Sequence, residues 1–220
     1  MSWESTAVYY RLINQAVNQR LGGLHSASIL LHSVDFAPVA TLQQDNRWAE
    51  AGERLANHAR ALETAGADCL VLCTNTMHRV ADTIQAGSSI PLIHIADAAA
   101  ERLQQLGIDR AGLLGTAFTM EQAFYRDRLI GHGIDVLTPD AEQRAAVHRV
   151  IFDELCRGRI DDRSRQAFIT ISQQLAENGA RGIILGCTEI GLLIGPDDLD
   201  LPLIDTTQVH ADAAVNFALG

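Results

Sequence analysis

Two of the four cysteines, Cys73 and Cys187, stand in the same local setting. Each closes a run of Ile, Val and Leu, and each is followed by a threonine. A thiol at a strand end, ahead of a helix N-terminus, is placed for acid–base work. Backbone N–H groups and the helix dipole there favour the thiolate over an ordinary thiol, whose pKa is about 8.5. Thr74, Asn75 and Thr76 follow the first thiol; Thr188 and Glu189 follow the second. Their hydroxyl and amide groups can cap a helix and donate hydrogen bonds to a bound carboxylate. Two such thiols on opposite faces of one carbon suit stereoinversion: one thiolate removes a proton and the other thiol delivers one from the far side. A disulfide between them is the alternative, disfavoured in a reducing compartment.

The neighbouring groups read less sharply. Glu189 either steers the proton of the adjacent thiol or caps the helix dipole. Cys69 and Cys156 read as small buried hydrophobes. The eight histidines form no ligand-spaced cluster and the cysteines no zinc spacing, so no metal is expected. His210 stands apart, because Asp205-Thr206-Thr207-Gln208-Val209-His210 starts at a strand end on the thiol side. It is either a supporting residue behind the reacting groups or a satisfied structural histidine.

Composition removes whole classes of chemistry. The 220 residues include 17 cationic side chains, and all are arginine. With no lysine, no Schiff base can form with pyridoxal phosphate or a carbonyl substrate, and no P-loop or kinase lysine exists. A formal charge of -10 disfavours nucleic acid and anionic membranes as partners. The N-terminus lacks a basic region followed by an apolar run, and no apolar stretch approaches the ~18–20 residues of a span. The expectation is a cytoplasmic protein with reduced thiols and enough chain to bury its own core.

The elements that must position the thiols follow from periodicity. Residues 48–62 place Trp48, Ala51, Leu55, Ala59 and Leu62 on one helical face, and residues 168–175 do the same with Phe168, Ile171 and Leu175. Candidate strands are 28–32, 69–73, 92–95, 111–114, 134–137, 182–185 and 203–205. Short apolar strands separated by helices imply parallel sheets covered on both faces. An internal repeat organises them. Ala65-Gly66-Ala67-Asp68 leads into Cys73-Thr74 and on to Ile90-Pro91-Leu92-Ile93. Asn178-Gly179-Ala180-Arg181 leads into Cys187-Thr188 and on to Leu201-Pro202-Leu203-Ile204. Two pseudosymmetric α/β domains are therefore expected, residues 1–94 plus 207–220 and residues 95–206. Ligands of such sheets bind beyond the strand carboxyl ends, so a cleft between facing halves would carry both thiols. Tyr9-Tyr10-Arg11 resembles Phe124-Tyr125-Arg126, and the strand that precedes the latter has no counterpart before Met1. The first domain is thus expected to start one strand late.

The segments Met1-Ser2-Trp3-Glu4-Ser5-Thr6, Cys73-Thr74-Asn75-Thr76, Leu114-Gly115-Thr116 with Thr119-Met120, and Gly186-Cys187-Thr188-Glu189-Ile190 resemble the cofactor-independent aspartate/glutamate racemases, above all the broad-specificity bacterial branch. The resemblance covers essentially the whole chain. It implies Cys73 and Cys187 as paired acid/bases, no cofactor, a small acidic amino acid as substrate, and a homodimer. It implies substrate contacts from Met1, Ser2, Asn75, Thr76, Thr116, Thr119 and Thr188, with Glu189 close by. The lysine that aspartate-selective members place near the substrate side chain has no equivalent. Arg47 is the candidate for the distal carboxylate, its alternative being a solvated helix arginine. A maleate-isomerase-like or decarboxylase-like relative, or a truncated inactive binding paralogue, would keep the fold and change or lose the reaction.

Overall fold

The computed structural model describes residues 1–220 and divides them into two units, Met1–His94 with His210–Gly220, and Ile95–Val209. The first unit opens with α1 (Trp3–Leu21), α2 (Phe36–Gln44) and α3 (Trp48–Thr64). The apolar stripe predicted for α3 is the one it buries: Trp48, Ala51, Leu55, Ala56 and Ala59 all lie inward. A parallel pair follows, β1 (Leu70–Val71) beside β2 (Leu92–Ile93), with Leu70 opposite Leu92. Between them lie a 3-10 turn (Thr76–Val80) and α4 (Ala81–Ala86).

The second unit runs α5 (Ile95–Gln105), β3 (Arg110–Gly115), α6 (Ala117–Glu121), α7 (Ala123–Gly131), β4 (Asp135–Leu137), α8 (Ala141–Asp153), α9 (Asp162–Glu177), β5 (Ile183–Gly186) and β6 (Leu203–Asp205). Its four strands form a parallel sheet in the order β4-β3-β5-β6. Leu113, Leu114, Ile183 and Ile184 are completely enclosed, and Ile151, Phe168 and Leu129 pack in the same core. A sheet covered on both faces needs continuous apolar strands, which is what these runs supply. The last helix, α10 (Thr206–Leu219), starts in the second unit and returns the chain to the first at His210. No helix is long and apolar enough to cross a membrane.

Two strand expectations change. Residues 28–32 join no sheet; β1 pairs with β2 alone, and Leu30 and Leu31 are half exposed. An apolar run becomes a strand only where a neighbouring backbone completes the ladder. The run 92–95 stops as a strand at Ile93, because Ile95 begins α5 and its alanine-rich sequence favours helix.

Candidate active site

Each unit places one thiol just past the carboxyl end of a parallel strand, Cys73 after β1 and Cys187 after β5. In the first unit Cys73 is partly buried and its thiol points to the Val71 carbonyl, 3.6 Å away. The loop around it is held by its own neighbours. The Met1 nitrogen donates to the Cys73 carbonyl at 2.7 Å, and the Ser5 hydroxyl donates to the same oxygen at 3.1 Å. Ser2 caps α1 by accepting from the Ser5 N–H. Thr74, Asn75 and Thr76 are all buried.

The second unit repeats this device. Thr116 caps α6 by accepting from the Thr119 N–H, as Ser2 does from Ser5. Thr119 also lies against the strand end that carries Cys187, through close approaches at Gly115 and Gly186. A Cβ on Gly186 would lie 2.7 Å from Leu113 Cδ1 and 2.9 Å from the Leu114 carbonyl oxygen, so only glycine lets β5 run this close to β3. Cys187 is buried and donates to Glu189 Oε2 at 3.0 Å, and the Thr188 hydroxyl donates to the same oxygen at 2.8 Å. The Thr207 hydroxyl reaches the Thr188 carbonyl at 3.4 Å.

Two expectations about these residues are corrected. The helix expected after Cys187 is a single 3-10 turn, Ile190–Leu192, and Cys73 likewise meets a 3-10 turn before α4 begins. Neither thiol is lowered. Burial pushes Cys73 up to about 11, and burial together with the Glu189 charge and hydrogen bond holds Cys187 well above the usual thiol range. Cys156 sits on the 3-10 turn Leu155–Arg157, partly buried and packed against the apolar core of the second unit. Glu189 serves as an acceptor for the Cys187 thiol and the Thr188 hydroxyl, and its side chain makes no helix-cap hydrogen bond.

His210 is enclosed in the first unit. Its Nε2 meets the Ile93 carbonyl at 2.7 Å, and its Nδ1 meets the Tyr9 hydroxyl at 2.8 Å. A carbonyl only accepts, so Nε2 carries the proton and Tyr9 donates to Nδ1. Burial pushes this histidine down to about 4 and keeps it neutral. His78 stands beside it, ring centroids 5.7 Å apart, and its Nδ1 donates to the Thr74 carbonyl at 2.7 Å. His210 and His78 thus stiffen β2 and the Cys73 loop respectively. Arg47 is elsewhere occupied: it flanks the start of α3, half exposed, and its guanidinium is taken by Glu50.

Sequence reasoning missed Ser5 and His78. The spacing Ser2-x-x-Ser5, matched by Thr116-x-x-Thr119, was a usable signal for the first. His78 acts through space, and no local pattern marks it. No group of three or more His, Cys, Asp and Glu side chains is arranged to hold a metal ion. What the arrangement offers is two thiols with raised proton affinity, Cys187 buried and Cys73 partly buried, each beside hydroxyl and amide groups able to orient a carboxylate.

A crystal structure of a Yersinia pestis protein solved as a candidate Asp/Glu racemase is 53% identical, with 100% of this chain and 96% of that chain covered and a TM-score of 0.93. An aspartate racemase homologue from Pyrococcus horikoshii is 30% identical, with 99% and 95% covered and a TM-score of 0.85. The broad specificity amino-acid racemase RacX of Bacillus subtilis is 26% identical over 155 residues, which are 70% of this chain and 66% of that protein, just under two thirds of its length. The model of the Asp/Glu/hydantoin racemase family matches residues 1–214, and the chain belongs to that family.

Proposed function

We propose that this protein interconverts the L- and D-enantiomers of aspartate or glutamate by cofactor-free proton transfer between two thiols, Cys73 and Cys187. The observation that carries the reading is the repeated device: in each unit a thiol follows a parallel strand, with an N-capping hydroxyl pair, Ser2 and Ser5 or Thr116 and Thr119, beside it. Family membership supports amino-acid racemisation, and the names of the relatives point to acidic and broad substrates.

In the proposed step one thiolate takes the α-proton, breaking the Cα–H bond and leaving a carbanion. The other thiol gives its proton to the opposite face, and a new Cα–H bond forms. Sulfur and carbon exchange one proton each way, and no electron is gained or lost. Raised thiol pKa values suit this exchange, because the α-proton of an amino acid is held tightly and a strong base narrows the gap. Met1, Ser2, Thr74, Asn75, Thr76, Thr116, Thr119 and Thr188 would hold the substrate through hydroxyl and amide hydrogen bonds. With Arg47 taken by Glu50, neutral donors are the better candidates for the distal carboxylate. The protein would work in the cytoplasm as a homodimer. Incubation of aspartate, glutamate, maleate and an arylmalonate with the enzyme, followed by chiral chromatography, tests the assignment. Inversion of an acidic amino acid is expected; turnover of maleate or the arylmalonate alone would refute it.

A further inference from the structure

The proposed mechanism leaves one histidine of the second unit, His148, without a role. We infer that His148 is a positioning residue: by accepting a hydrogen bond from the Ala117 N–H it fixes residues 116–119, and with them the two hydroxyls that would hold the substrate. The inference rests on the reading of Thr116 and Thr119 as substrate contacts.

The Thr116 and Thr119 hydroxyls lie 3.2 Å apart, and both residues are buried. They stand at the start of α6, a helix of five residues that ends at Glu121, before α7 begins at Ala123. A helix that short closes too few hydrogen bonds to hold its own direction. Its first N–H groups also have no acceptor within the helix. Thr116 Oγ1 takes the Thr119 N–H at 3.3 Å. The Ala117 N–H goes to His148 Nδ1 at 3.1 Å, on a residue 31 positions further along and carried by a different helix, α8. In the first unit the matching pair, Ser2 and Ser5, opens the 19-residue α1, and Ser5 is tied directly to the Cys73 carbonyl. The short α6 takes its anchor from α8.

That anchor has a firm base. Val147 and Ile151 bury α8 in the core of the second unit. The His148 ring meets Phe118 edge-on at 6.0 Å between centroids and Phe152 at 4.8 Å, which fixes its plane. A backbone N–H only donates, so Nδ1 holds the lone pair and the ring proton sits on Nε2. Burial keeps this histidine below its ordinary range, although Glu121 of α6 and Asp153 of α8 pull the other way. The neutral ring, the form that can accept, is therefore the one present at neutral pH. Asparagine here would keep an acceptor oxygen close to the place of Nδ1. Phenylalanine would keep the ring and lose the acceptor.

The test compares wild type, His148→Asn and His148→Phe by amide hydrogen exchange at Ala117, read by NMR, and by racemisation kinetics with aspartate and glutamate. Circular dichroism establishes that each is folded; if His148→Phe is not, His148→Leu, which also lacks the acceptor, takes its place. Loss of one neutral hydrogen bond is expected to speed Ala117 exchange about fivefold in His148→Phe, with His148→Asn close to wild type. The KM should rise by a similar factor of about five in His148→Phe, with kcat nearly unchanged, and return toward wild type in His148→Asn. A role in packing alone would give the reverse order, with Phe tolerated and Asn damaged. That order, or Ala117 exchange unchanged in His148→Phe, or a fall in kcat at constant KM, overturns the inference. The exchange measurement needs no substrate. A wild type without turnover would sink the racemase reading, and Ala117 exchange would still decide whether His148 holds residues 116–119.

Discussion

Replacing Glu189 by Gln removes the anion lying 3.0 Å from the Cys187 sulfur while nearly preserving the side chain's shape. At that distance, with an effective dielectric near 20, Coulomb's law gives about 5.5 kcal/mol between the carboxylate and a thiolate. At 1.36 kcal/mol per pH unit this corresponds to about four units. The Thr188 hydroxyl draws off part of the carboxylate charge. The expected fall in the Cys187 midpoint is therefore about two to four units. Burial, the larger influence on this thiol, remains, so the midpoint stays above that of an ordinary cysteine. Ultraviolet thiolate absorbance, followed against pH in Glu189→Gln and in Glu189→Gln/Cys187→Ala, isolates the Cys187 contribution. The reasoning is refuted if the midpoint stays where it is in wild type, or moves up.

Three further outcomes follow from groups elsewhere in the two units. With Cys73 pushed up to about 11 by burial, the thiolate is scarce at neutral pH. The kcat/KM for racemisation should climb about tenfold per pH unit above pH 7, since it reports the free enzyme; a plateau already reached at neutral pH would contradict a raised thiol. His210 is pushed down to about 4 by burial, so its neutral ring supports folding fully above the ordinary histidine value near 6.5. That support, about 3 kcal/mol, should vanish as pH falls from there toward 4. Urea melts at several pH values should show this loss in wild type and a shallower one in His210→Gln. Gly186→Ala forces a methyl to within 2.7 Å of Leu113 Cδ1 and 2.9 Å of the Leu114 carbonyl oxygen. Overpacking of that kind costs about 1–3 kcal/mol, which should lower the urea midpoint with little change in its slope. An unchanged midpoint would mean that β3 and β5 separate at low cost.

The second unit was legible because its strands are apolar throughout and enclosed on both faces, so periodicity and burial give the same answer at Leu113, Leu114, Ile183 and Ile184. Residues 28–32 have the same composition but form no strand, since pairing is a property of neighbours and not of a segment. The paired Cys-Thr sites were legible through the repeat. The state of the thiols was not. Strand-end placement suggested a lowered pKa, whereas burial and the Glu189 anion push the other way, and neither burial depth nor a carboxylate's orientation is written in local spacing.

The central claim, two thiols exchanging protons at one α-carbon, is tested most directly by solvent deuterium. L- and D-aspartate and L- and D-glutamate are each incubated in heavy water with wild type, Cys73→Ala and Cys187→Ala, and α-deuterium and chirality are read together. The account predicts that wild type inverts at least one of these amino acids with deuterium in every inverted molecule. Each single variant should lose inversion while retaining exchange, at most, on the one enantiomer whose α-proton faces the remaining thiol. Inversion that survives removal of either thiol, or inverted product that keeps its original hydrogen, would contradict it.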